Sequence, residues 1–194
     1  MNPVSAKVEF DFDAIAKMVK RLNVERALNM IRDGNKAEAL ETAKWLIGHH
    51  RQVRVGALMK IAKDKRCGTW NRIAAVYTVG FLRRRPNVAP GLITLLADRT
   101  LDVNIRGHTA EAIGYYRAKA AIPLLRKILL SSESPGLKVE CIFALARMWE
   151  WSGDFKTFNS DARKALNEFA RTQPTGKAAK ELRQALRDIR DGVF

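Results

Sequence analysis

Apolar residues recur at intervals of three and four through residues 69–82 (TWNRIAAVYTVGFL), 102–116 (DVNIRGHTAEAIGYY) and 136–148 (GLKVECIFALARM). That spacing turns one face of a helix toward a core. With Arg72 laid on Arg106 and on Lys138, the segments fall 34 and then 32 residues apart, and matched positions agree in character. Apolar residues hold the sets Val76, Ala110, Ile142 and Val79, Ile113, Leu145, and also Leu82, Tyr116, Met148. Small residues hold Ala75, Thr109, Cys141 and again Gly80, Gly114, Ala146. Small side chains beside large apolar ones predict helices packed closely by neighbours on both sides, and a period in the thirties predicts a stacked repeat.

A second, shorter helical pattern follows each of the first two copies, over residues 87–98 (NVAPGLITLLAD) and 117–131 (RAKAAIPLLRKILLS). Pro90 matches Pro123, Leu92 matches Leu125 and Leu95 matches Ile128. A proline fits the first helical turn, where its missing N–H leaves no bond unmade. The unit is thus a long helix, a turn and a short helix. Each pair leaves an apolar side uncovered, so copies must stack, at least three of them for stability. Helices are also expected over residues 13–32, 36–48 and 51–64, with Asp33-Gly34-Asn35 stopping the first. Ser152-Gly153-Asp154 is expected to end one helix and cap another running to Arg171, and residues 172–176 to break the chain before a polar helix over 177–190.

The run Asp102-Val103-Asn104-Ile105-Arg106, with Thr109, Ala110, Ile113 and Gly114, then Ala121, Ile122, Pro123, Leu124 and Leu125, resembles a HEAT repeat. It is similar to the short bacterial type found as phycobilisome-lyase HEAT-like repeats. The resemblance covers residues 69–150 and extends back to Arg51 through RQVRVGALMKIA. It implies an all-α fold, a right-handed α-solenoid of stacked antiparallel helix pairs forming an α–α superhelix. On that reading residues 1–194 are one domain, with a degenerate helical pair or pairs in 1–50, HEAT-like repeats in 51–151 and capping helices in 152–194. The resemblance also implies that Arg72 and Arg106 link adjacent repeats by hydrogen bonds. Thr69 stands where the family prefers an acidic residue, Ser134 or Gly136 does so in the third copy, and Lys138 replaces the arginine, so the ladder is expected to be incomplete. Arrays of this kind serve mainly as binding scaffolds, and the fold alone names no ligand.

Charge changes the picture once it is located. Residues 51–130 hold 16 Lys and Arg against 4 Asp and Glu, whereas 1–50 hold 8 against 7 and 131–194 hold 11 against 9. A field of one sign steers opposite charge toward it. Arg83, Arg84 and Arg85 lie at the turn of the first clear unit, and Arg117 and Lys119 at the matching turn of the next. With Arg126 and Lys127 on the following helix, and Lys60, Lys63, Lys65 and Arg66 ahead of the first unit, stacking is expected to align a basic edge. Arginine grips an oxyanion through two parallel hydrogen bonds. Two uses follow: docking an acidic protein partner without catalysis, or contacting nucleic-acid phosphates through the same arginines. A solvated rim that keeps the protein soluble accounts for the same residues equally well.

Other chemistry is thin. Two cysteines, Cys67 and Cys141, are too few for a disulfide framework or a thiolate metal site, and His49, His50 and His108 have no metal-ligand spacing. No phosphate-binding glycine loop or nucleophile elbow occurs, the His-Glu dipeptides of HEAT-type hydroxylases are absent, and no cofactor is expected. HEAT-like alkylpurine DNA glycosylases place an aspartate beside tryptophans. Here Asn71-Arg72 follows Trp70, and the acids of the basic segment are Asp64, Asp98, Asp102 and Glu111, so that activity is not expected. Trp45, beside Leu46 on an apolar stripe, is expected in the core. Trp149 and Trp151 cannot share a helix face, which predicts one exposed and the other buried. The alternating acidic and apolar start, MNPVSAKVEFDFDAIAKM, lacks a signal's apolar stretch, and no run spans a bilayer, so the expected location is cytoplasmic, without membrane insertion.

Overall fold

A computed structural model describes residues 23–48, 54–82, 87–152 and 155–193, excepting the side chains of residues 151, 152 and 155. Helices dominate: α1 (Val24–Asp33), α2 (Lys36–Gly48), α3 (Val55–Lys63), α4 (Thr69–Phe81), α5 (Val88–Ala97), α6 (Val103–Tyr116), a 3-10 turn (Lys119–Ala121), α7 (Ile122–Leu129) and α8 (Pro135–Ala146). Strands β1 (Trp149–Ser152) and β2 (Phe155–Phe158) then precede α9 (Ser160–Arg171) and α10 (Gly176–Asp191). The chain is all-helical apart from this one hairpin among the described residues. The leading part of the helix expected over 13–32, and residues 51–53 of the one expected over 51–64, lie outside them, as do His49 and His50.

Helix boundaries follow local chemistry. The Asn23 side chain accepts from the Arg26 N–H at 2.8 Å and starts α1. Asn35 and Glu38 cap α2 reciprocally: the Asn35 N–H donates to Glu38 at 2.8 Å and the Glu38 N–H to Asn35 Oδ1 at 3.0 Å. Asp102 caps α6 and Ser134 caps α8 through their side-chain oxygens, whereas Gly68 at the head of α4 has no side chain to offer.

Packing forms two rows. Helices α2, α4, α6, α8 and α10 touch in that order, each in extensive contact with the next. On one flank of this row α3 lies on α4, α5 on α6 and α7 on α8; α3 meets α5, α7 meets α9, and α5 reaches the 3-10 turn ahead of α7. One buried apolar cluster runs from Ala27 to Ile189, with Leu58, Leu82, Leu92, Leu96, Ile113 and Leu125 fully enclosed between the rows. Cutting any of these leucines to alanine costs about 2–5 kcal/mol, since the cavity closes only in part.

Small residues set the spacing within the first row. A Cβ on Gly80 would lie 2.8 Å from the Cβ and 2.9 Å from the Cα of Ala112, and one on Gly114 would lie 2.8 Å from the Cα of Ala144. Two matched glycines therefore hold α4 to α6 and α6 to α8 at nearly the same place along each helix.

The matched arginines act between elements. Arg72 Nε donates to the Ala62 carbonyl at 3.0 Å and Arg106 Nε to the Leu96 carbonyl at 3.1 Å, each ten residues back at the open end of the preceding short helix. Arg106 reaches on to Glu133 with Nη1 at 3.1 Å and Nη2 at 3.0 Å, a bidentate pair at 5% exposure of the arginine. Arg72 has no such carboxylate, and its buried Nη2 finds no partner among the described residues. Lys138, third in the series, instead extends over the Phe169 ring, 5.7 Å from its centre.

One segment departs from expectation. Residues 149–152 and 155–158 form an antiparallel pair with Trp149 opposite Phe158, where helix was expected, and α9 begins only at Ser160. Aromatic and β-branched residues alternate through WEWSGDFKTF about a Gly153-Asp154 dipeptide, a period of two rather than 3.6. The face argument for Trp149 and Trp151 thus loses its helical premise. Trp149 is buried, its ring 5.2 Å from that of Phe158. Trp45 is half-buried against the core rather than enclosed by it.

Candidate binding site

The side of α4, α6 and α8 turned away from the short helices carries most of the half-buried polar and aromatic groups. Superposing the repeats puts Tyr77, Glu111 and Phe143 at one level, Phe81, Tyr115 and Arg147 one turn on, and Ala74, His108 and Glu140 one turn before. The rings of Tyr77 and Phe81 are 4.9 Å apart, those of Phe81 and Tyr115 4.7 Å, and the Arg147 guanidinium covers Tyr115 at 4.4 Å. An aromatic strip therefore crosses from α4 to α6 and ends beneath Arg147, which follows α8.

At its α2 end the strip opens into a groove of about 540 Å³. Leu40, Trp70, Ile73 and Tyr77 supply apolar walls, and Lys36, Lys44, Glu41, His108 and Glu111 bring charge. The volume falls within the range of small-ligand and side-chain pockets. Lys44 Nζ holds Glu41 at 2.5 Å, and His108 Nδ1 donates to Glu111 at 3.1 Å. Lys36 joins no carboxylate among the described residues; its Nζ rests 3.6 Å from the centre of the Trp70 ring, which is 42% exposed.

Four neighbouring groups are shifted from their ordinary ionisation. The hydrogen bond from His108, above all, holds the Glu111 carboxyl below its usual range, and the same bond raises the His108 imidazole. Burial raises Glu140, and the nearby Glu111 charge adds to it. Desolvation raises Tyr115, whose hydroxyl donates to Glu111. These groups can bind and orient a polar ligand.

The basic residues expected to form an edge divide between two borders. Arg83, Arg84 and Arg85 lie outside the described residues. Arg117 ends α6 in a left-handed conformation (φ 57°), and Lys119 follows it in the 3-10 turn. Lys63, Lys65 and Arg66 lie at the other end of the units, where Lys65 and Lys63 together lower Asp98 at the end of α5, after its bonds to Thr100. Helix α6, 14 residues long, separates the two borders by about 20 Å. Lys127 shares a recess with Arg99 and Glu133.

Several of these cations are engaged within the chain. Arg126 grips Glu168 of α9 with Nε at 2.5 Å and Nη2 at 2.7 Å, and Lys119 pairs with Glu150 at 3.0 Å. Arg66 pairs with Asp64 at 2.8 Å and, chiefly through that side-chain bond, lowers the Asp64 carboxyl to about 2. Lys60, Lys63, Lys65 and Lys127 are exposed and in no ion pair among the described residues.

The aromatic groove was not singled out from the sequence, although its signal is present. Residues 70, 73, 77 and 81 sit on one stripe, of which Ile73 reaches the core, and the aromatic groups beside it exceed what a solvated face needs.

No family model matches the chain, and no curated protein matches it. Among the described residues no group of three or more His, Cys, Asp or Glu could hold a metal ion, and no helix is long and apolar enough to cross a membrane. Cys67 and Cys141 are both free thiols, each raised by burial.

Proposed function

We propose that the chain is a HEAT-like α-solenoid, with repeats over residues 51–151 between flanking helices, that works without catalysis as a module docking an acidic protein partner. The observation that carries the reading is the border where Lys60, Lys63 and Lys65, at or just past the end of α3, and Lys127 at the end of α7 project with no carboxylate bound to them among the described residues. The ordered succession of helix contacts along the first row, and the recurrence of the Arg72 and Arg106 bonds, support the repeat.

A protein partner is favoured over a phosphate backbone by the carboxylates spread along the same borders. Asp64, Asp98, Glu133, Glu150 and Glu168 alternate with the cations. Such a mosaic is matched better by carboxylates on flexible side-chain stems, which can meet the cations and avoid the acids, than by a phosphate backbone of fixed spacing.

The test is a titration of wild type with an acidic polypeptide (poly-glutamate) and with single- and double-stranded DNA and RNA, at low and moderate salt. Binding of the polypeptide, weakened when Lys63→Glu, Lys65→Glu and Lys127→Glu are combined, is the expected result. Nucleic-acid binding that falls steeply with salt, with a slope set by the number of phosphate contacts, would replace this reading with the nucleic-acid one.

A further inference from the structure

We propose that the groove between α2, α4 and α6 is the anchor pocket of that docking surface, taking the apolar face of an acidic amphipathic helix from the partner. The inference rests on the docking reading above and assigns it a second, separate contact.

Shape and composition suit such an occupant. The groove is half open to solvent and walled by Leu40, Trp70, Ile73 and Tyr77. Helices seat two or three apolar side chains, spaced at i, i+3, i+4 and i+7, in grooves of this kind. Trp70 and Tyr77 are the residue types that most often carry binding energy at the centre of an interface.

Charge fixes the sign of the occupant. Glu41 is neutralised by Lys44, and Glu111 accepts hydrogen bonds from His108 and Tyr115, so both groove carboxylates already have partners within the chain. Lys36 is the one charge lining the groove that meets no opposite charge among the described residues. It lies across Trp70, where a carboxylate on the incoming helix would draw it off the ring or pair with it in place. A basic helix would face Lys36 with nothing left over to receive it.

The experiment uses the full chain and synthetic peptides of about 18 residues, five helical turns. One carries Leu and Phe at the anchor spacing with glutamates on the other face. A second keeps the anchors and replaces glutamate by lysine, and a third keeps the glutamates and replaces the anchors by serine. Titrations follow peptide fluorescence anisotropy for wild type, Trp70→Ala, Lys36→Glu and the combined Lys63→Glu, Lys65→Glu, Lys127→Glu variant. Lys36 and Trp70 are exposed, so both groove variants should keep the fold, and circular dichroism checks it.

The expected result is binding of the first peptide at least about tenfold tighter than either other, with each groove variant losing about tenfold. A first peptide that binds the groove variants as tightly as wild type, while the triple lysine variant loses it, would overturn the groove assignment and leave the docking reading standing. Equal or tighter binding of the lysine peptide would overturn the acidic occupant. No binding of any peptide to wild type would overturn the groove assignment, and if poly-glutamate also fails, the docking reading falls with it.

Discussion

At the scale of single residues the sharpest constraint is contact distance. Alanine at position 80 or 114 would gain about 0.5–1 kcal/mol in helix propensity over glycine. Its Cβ would nonetheless fall under 3 Å from the backbone of the next helix, where nothing flexible can yield. Overpacking of that kind costs about 1–3 kcal/mol, so Gly80→Ala and Gly114→Ala should each destabilise by about 1–2 kcal/mol in urea unfolding. Ionisation gives a second prediction. The His108 pKa is raised, so its contribution is complete below about pH 6.5 and lost as pH rises through the folded value. Glu140 is also raised, so its contribution is present below about pH 4.5 and lost as pH rises through its own folded value. Glu111 is lowered and loses its contribution only in acid, as pH falls through a folded value below 4.5. Thermal unfolding followed from about pH 4.5 upward should therefore show a falling Tm, of which Glu140→Gln removes the part that begins just above about pH 4.5 and His108→Gln the part that begins just above about pH 6.5. A slope unchanged in both variants would exclude these groups as its source.

At the scale of elements, the helices rest on a few polar ties that cross between them. Asn71 Nδ2 donates to the Ile31 carbonyl at 2.8 Å and the Gly34 carbonyl at 2.7 Å, fastening the α1–α2 turn to the head of α4. Asn71→Ala leaves a buried carbonyl without its donor and should cost about 1–3 kcal/mol, with the earliest loss of amide protection in α1 and α2. Glu133→Ala strands the enclosed Arg106 guanidinium and should cost about 3 kcal/mol by denaturant unfolding. The helices α4 to α8 and the Arg106 position were legible in the sequence because each has a strong 3.6-residue stripe and a repeat partner to check it. The hairpin was not, because Trp149 and Phe158 earn their burial by facing one another, a contact that periodicity in either strand alone does not specify. Glu133 was also missed. It precedes the Ser134 cap in a loop, and only the stacking of two units carries it to Arg106.

At the scale of the whole molecule, the sequence excess of cations was legible but its layout was not. A single edge was expected from residues 60, 63, 65, 66, 83–85, 117, 119, 126 and 127. The described members instead divide between opposite ends of the helix pairs, because one set follows long helices and the other follows short ones. Their engagement with Asp64, Glu150 and Glu168 was also invisible, since the last two come from segments that meet the repeats only after folding. Reversing Lys63, Lys65 and Lys127 together should lower affinity for an acidic partner and reduce its salt dependence while leaving the circular dichroism spectrum unchanged. The three lysines are exposed and in no ion pair among the described residues, so the loss should be confined to association.

Where Gly80 and Gly114 meet the next helix, no room is left for a side chain. Each added methyl at those two positions would act as a wedge, prising α4 from α6 and α6 from α8 and so parting the rings of Tyr77, Phe81 and Tyr115 that bridge the first pair.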